Sequence, residues 1–163
     1  MRILKTILII YLVALFTVTI LPRLSILNSS FNLILVAALF YLCQKDFKKG
    51  FIWAVFGGLF LDFMGTSFLS NFFILLGVAL VVALIISRFF EVSSPYLFLI
   101  LCFFASFIYN FLLVFINHLN YKVFLLPSVL GAFYTLIPAI LFALFYWYLF
   151  KKEKNGNLYL ERR

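Results

Sequence analysis

The stretch GGLFLDFMGTS, Gly57 to Ser67, puts one carboxylate, Asp62, near the end of an apolar run that begins at Phe51. An ionised aspartate is costly in hydrocarbon and ordinary in water, so its setting decides what kind of chain this is. The surroundings point to a membrane. Hydrophobic residues make up 67% of the 163 positions and charged residues 11%, and the mean hydropathy is +1.21. A soluble domain is about half apolar and a quarter charged. The 24 Phe, 9 Tyr and 2 Trp supply bulky, lipid-tolerant side chains along every apolar segment.

The formal charge of +8 does not make a nucleic-acid reader, because the basic residues fall between apolar runs rather than on one face. Cys43 and Cys102 lie in or beside apolar segments with no Cys/His metal spacing, and read as small buried residues. The opening MRILKTILIIYLVALFTVTIL has an apolar stretch longer than a signal core and no small-x-small cleavage site, so it is expected to remain as a first membrane helix.

A span needs about 20 mostly apolar residues. Pro, Gly, Asn and charge divide the chain into six candidates, near 3–21, 26–43, 50–65, 70–90, 96–117 and 128–150. The fold class expected is therefore an all-α integral membrane bundle of about six helices over 1–150, with a short basic tail at 151–163. The second and third candidates are expected to be short or irregular. The second carries Asn28, Ser29, Ser30 and Asn32 near its start, and the third has Gly57 and Gly58 at its middle. Six spans put Arg2, Lys5, Lys45, Lys48, Lys49, Arg88, Lys151, Lys152, Lys154, Arg162 and Arg163 on one side and only Arg23 and Lys122 on the other. By the positive-inside rule the first side, with both termini, is cytoplasmic. Lys45, Lys48, Lys49, Lys151 and Lys152 are then topology and interface residues. Trp53 and the Tyr146, Trp147, Tyr148 run are placed to form aromatic belts beside them.

Chemistry-bearing residues are few. Asp62 is the only acid inside an apolar stretch. It either caps the turn made by Gly65, Thr66 and Ser67, or faces the interior and meets a partner, ion or substrate. Gly57 and Gly58 form a notch for close helix approach. Asn110 and Asn117 share a face of the fifth helix and could hydrogen-bond across helices. Pro127 and Pro138 bracket the first half of the sixth helix, and Pro138 is expected to kink it. His118 is a lone loop histidine. No HExxH, GxSxG or P-loop is present, and a proton relay would call for more intramembrane ionisable groups. The chain is thus expected to be no enzyme and to need no cofactor or metal.

From Pro22 to Phe90 the chain resembles the MreD family of rod shape-determining membrane proteins. The elements that carry the resemblance are Pro22 after the first helix, the basic loop QKDFKKG (44–50), GGLFLDFMGTS (57–67) and the long FFILLGVALVVALIISRFF (72–90). Family members often have a leucine-glycine pair soon after the aspartate turn, where this chain has Phe68, Leu69, Ser70 and Asn71. The resemblance implies a non-catalytic scaffold of bacterial cell elongation in the cytoplasmic (inner) membrane. It would bind an MreC-like bitopic protein, and through it MreB, RodA and a penicillin-binding transpeptidase that support lateral peptidoglycan synthesis. Membrane lipid surrounds such a protein, a homo-oligomer is open, and nucleic acid is not a partner. The family is similar in fold to substrate-binding subunits of energy-coupling-factor vitamin transporters, which supplies the alternative function. On the scaffold reading Asp62, Gly57, Gly58 and Gly65 form the partner contact or the structural turn, and Asp62→Asn weakens partner binding while leaving insertion intact.

Overall fold

A computed structural model of the chain describes the backbone of residues 2–20, 32–65, 69–89, 95–117 and 125–160, and side chains over 4–20, 32–65, 69–88, 96–116 and 126–145. Among the described residues there are six helices: α1 (Arg2–Thr19), α2 (Leu33–Cys43), α3 (Phe47–Met64), α4 (Ser70–Phe89), α5 (Pro95–Asn117) and α6 (Leu125–Leu160). Three stretches are long and apolar enough to cross a membrane, Ser70–Arg88, Tyr96–Ile116 and Leu126–Phe145. The apolar stretches Leu4–Thr19 and Leu33–Cys43 are shorter, and α3 carries Lys48, Lys49 and Asp62. Large apolar side chains stand outward on α1, α4, α5 and α6, among them Leu8, Phe73, Leu84, Phe104 and Leu141. So much exposed apolar surface is foreign to a soluble monomer and compatible with a membrane protein.

The bundle is organised around its shortest helix. In α2, LILVAALFYLC, nine of eleven residues are buried, as expected for a helix apolar on every side. It touches all five other helices, and around it α1, α3, α4, α5 and α6 follow one another, each packed on the next. Among the described residues α1 and α6 do not meet. At about 1.5 Å per residue, the eleven residues of α2 rise about 16 Å, half of a hydrocarbon core about 30 Å thick. The expectation of a short second helix applies to residues 33–43; positions 26–31 of that candidate span lie outside the described residues. The third candidate differs from expectation. It is one continuous helix of 18 residues starting at Phe47, because Gly57 and Gly58 are used for packing and leave the backbone ladder intact.

Glycine fixes how closely the helices approach. A Cβ at Gly57 would overlap the Ile34 side chain of α2, and one at Gly58 would lie 2.6 Å from the Phe72 Cα of α4. The first neighbour is a side chain, whereas the second is backbone and cannot turn aside. On α6 small residues serve the same purpose: Ser128, Ala132, Thr135, Ala139 and Ala143 recur every three or four positions and all are buried. Small residues let helix backbones close up where lipid supplies no hydrophobic force. The helix runs on through Pro138 to Leu160, so the helical backbone extends over ten residues of the expected basic tail.

The α2–α3 connection takes three residues. Lys45 N–H donates to the Leu42 carbonyl (2.9 Å) and Asp46 N–H to the Tyr41 carbonyl (3.0 Å), the paired bonds of a Schellman motif. That motif needs a left-handed residue after the cap, and Lys45 takes it at φ 60°. Asp46 at once caps α3, its side chain accepting from Lys49 N–H at 3.2 Å. Trp53, expected in an interfacial belt, is instead buried and stacked on Tyr41 with ring centroids 6.1 Å apart. The tight turn folds α3 back over α2 and carries the indole inside. The side chains of Tyr146, Trp147 and Tyr148 lie outside the described residues.

Two substitutions test this packing. Gly58→Ala pushes α4 away from α3 and should cost about 1–3 kcal/mol, the usual penalty for overpacking. Lys45→Gly frees a left-handed position of its Cβ and should stabilise the protein by about 1 kcal/mol. Thermal unfolding of the detergent-solubilised protein reads both. An unchanged midpoint for Gly58→Ala would mean that α3 and α4 are not in contact at this point.

Candidate functional site

Helix α4 starts with an unmet need. The Leu69 carbonyl accepts the first bond of the helix, from Phe73 N–H at 3.2 Å, so Leu69 occupies the N-cap position, with φ 56°. Serine, threonine, aspartate or asparagine at that position would accept from the amides two and three residues on. Leucine has no acceptor, which leaves Asn71 and Phe72 N–H unserved from within α4. Asp62 supplies the acceptor from α3. Its Oδ1 receives Asn71 N–H at 3.0 Å and the Asn71 side-chain Nδ2 at 2.9 Å. Its Oδ2 receives Phe72 N–H at 2.8 Å. The carboxylate thus performs the N-cap function across the hairpin, and its negative charge sits at the positive end of the helix dipole.

From Asn71 the network passes to α5 and α2. The buried Tyr109 hydroxyl donates to Asn71 Oδ1 at 2.5 Å, and Asn32 lies within hydrogen-bonding reach of Tyr109. Asn32 in turn caps α2, accepting from Leu35 N–H at 3.0 Å. One polar chain, Asp62, Asn71 and Tyr109, therefore joins α3, α4 and α5, and Asn32 at the start of the central helix lies beside it. Asn32, Asn71 and Tyr109 are each buried, which makes every bond in the chain costly to lose.

The four residues grouped in the sequence do not form one surface. Gly57 faces α2, Gly58 faces α4, Asp62 is half-buried against the start of α4, and Gly65 is exposed. The described partners of Asp62 belong to α4, not to the Gly65 turn, because α4's own cap residue cannot accept; Thr66 and Ser67 lie outside the described residues. Gly65 ends α3 with φ −95°, which any residue adopts. Lys45 and Lys48 are exposed. Lys49 pairs with Asp46 at 2.5 Å and sits 5.7 Å from the Tyr41 ring centroid. The hydrogen bond from Lys49 holds the Asp46 carboxyl below its ordinary range and raises the Lys49 ammonium. Lys151 and Lys152 fall on the helical extension of α6, with side chains outside the described residues. His118 and the Asn117 side chain also lie outside the described residues.

Asn110 could have bonded across helices. Its Nδ2 instead donates to the Ser106 carbonyl of its own helix at 2.9 Å, while its side chain fills the notch above Gly131 of α6. Cys43 and Cys102 are buried and free. No group of three or more His, Cys, Asp or Glu that could hold a metal occurs among the described residues.

Sequence reasoning did not single out Tyr109 or Asn71 as partners of Asp62. Asn71 carried a usable signal: in a tight antiparallel hairpin, the last turn of one helix is level with the first turn of the next. Tyr109 carried none, being one tyrosine in an aromatic-rich helix. Compared with known proteins, the chain matches no family model, no curated protein and no solved structure.

Asp62→Ala removes three hydrogen bonds to a charged acceptor and should lower stability by about 2–4 kcal/mol, more than an ordinary cap loss. Asp62→Asn keeps one acceptor but turns an amide N–H₂ toward a donor, and should fall between alanine and wild type. Tyr109→Phe removes the hydrogen bond to Asn71 Oδ1 and should cost about 1–2 kcal/mol. Thermal midpoints of the three variants check the order. A Tyr109→Phe protein as stable as wild type would detach α5 from the network.

Proposed function

We propose that the chain is a non-catalytic membrane scaffold of the MreD type, acting in bacterial cell elongation. The observation that carries this reading is the occupancy of Asp62. Both carboxylate oxygens are taken by the α4 amides and the Asn71 side chain, so the single acid of the apolar stretch serves to lock a helix hairpin. A locked hairpin gives the outward faces a fixed shape, which is what a helix-face scaffold needs. The motif residues GGLFLD support the same reading: the two glycines bring α2 and α4 against α3, and the aspartate fastens α4 there.

On this reading the protein has six helices embedded in the cytoplasmic membrane with both termini inside. It binds an MreC-like bitopic protein, and that partner connects it to MreB, RodA and a penicillin-binding transpeptidase. The basic turn at Lys45, Lys48 and Lys49 lies at the cytoplasmic surface. A mild-detergent pull-down through a C-terminal tag, with co-purifying proteins identified by mass spectrometry, tests the assignment. An MreC-like protein with wall-synthesis enzymes is the expected recovery. Recovery of an ATPase module with a coupling subunit would overturn it in favour of a vitamin-transporter subunit.

A further inference from the structure

We propose that the groove between α4 and α5 holds one acyl chain of an anionic phospholipid, whose phosphate is paired by Arg88. The groove is lined by Ile74, Gly77, Val81 and Ile85 of α4 and by Phe104 and Ile108 of α5, among others, is open along one side, and has a volume of about 430 Å³. It exists because Gly77 presents no side chain to it: a Cβ there would meet nothing within 4 Å. Its wall is almost wholly apolar, so it offers no hydrogen bond to a polar solute or to water.

Shape selects among apolar occupants. The α4 wall from Phe73 to Ile85 is about 18 Å long at the helical rise. The cavity of about 430 Å³ then has a mean cross-section of roughly 25 Å², a fraction of what a helix 10–12 Å in diameter fills. A single hydrocarbon chain lies along such a trench at its full length, whereas a helix about 10–12 Å across would stand mostly outside it. Between lipid and protein there is no hydrophobic gain, so filling restores only the dispersion contacts that an empty trench forfeits. Selection must come from the head group.

Charge supplies that selection at one end. Val81, Ile85 and Arg88 are spaced four and three residues apart and so share one face of α4. Arg88 is exposed, lies in the last turn of the helix at the limit of its apolar stretch, and pairs with no carboxylate among the described residues. A guanidinium one turn beyond the groove end is placed to take a lipid phosphate in a forked pair. Its aliphatic stem lies along the tail.

The test uses the full chain in vesicles of phosphatidylcholine with a minority of phosphatidylglycerol, followed by mild detergent extraction and native mass spectrometry of retained lipid. Wild type should keep one phosphatidylglycerol. Gly77→Leu fills the trench and should lower that retention about tenfold, whereas Gly77→Ala, with its methyl in open space, should reduce it far less. Arg88→Gln should keep a lipid but lose the preference for phosphatidylglycerol over phosphatidylcholine by about tenfold, the effect of one charge-assisted hydrogen bond. Equal retention of both lipids by wild type would mean that only annular lipid is present, and would overturn the proposal. So would Gly77→Leu keeping its phosphatidylglycerol, or losing a co-purified membrane protein in place of lipid. Because Arg88→Gln leaves the groove wall intact, it decides the matter even where Gly77→Leu fails to fold.

Discussion

The fold depends on a carboxylate that ends one helix and begins the next. Asp62 stands two residues before the end of α3 and accepts the two amides that α4 cannot satisfy with Leu69 as its cap. Unmet amides are tolerable in water and costly in hydrocarbon. Were α4 uncapped, its first turn would fray or draw water inward. With Asp62 in place, α3 and α4 close into a hairpin at a single spacing, and Gly58 makes that spacing possible because only hydrogen fits against the Phe72 Cα. Neither element suffices alone: without the glycine the carboxylate could not reach, and without the carboxylate the contact would have no direction.

The same logic extends inward. A central helix apolar on all sides has no preferred rotation, since each of its faces would pack about equally well. Asn32, which caps α2 and lies beside the Tyr109 that bonds Asn71, supplies a preference at the start of the helix. At the opposite end the turn through Lys45 and Asp46 ties α2 to α3. Shape complementarity at Gly57 with Ile34 then fixes the register between. Polar bonds set orientation here and small residues set distance, a division suited to a medium in which burying apolar surface brings little.

The helix count and most boundaries were legible because apolar runs broken by Pro, Gly and charge leave few alternatives. The centrality of α2 was not legible: hydropathy reports that a segment avoids water and is silent on whether it meets lipid or protein. Trp53 misled for the same reason, its place beside a basic loop suggesting an interface when the Schellman turn had folded it inward against Tyr41. The Ser128, Ala132, Thr135, Ala139, Ala143 series was readable as a packing stripe, with the expected proline kink drawing attention away from it. For the site, Asp62 stood out by charge alone. Its partners did not, because two of the three donor groups are backbone amides that no side-chain pattern marks.

The choice of aspartate over asparagine at position 62 follows from the donors it meets. Among the described residues, three N–H groups converge on its two oxygens. An amide at this position would offer one oxygen to three donors and direct its own N–H₂ at an N–H. Only a carboxylate answers on both atoms, and it does so at the start of a helix. A charge inside an apolar segment is ordinarily taken as a sign of transport or catalysis. Here the arrangement of donors is enough to call for it, and the net effect is mechanical: the hairpin that carries the α4 wall of the groove is held by its first turn.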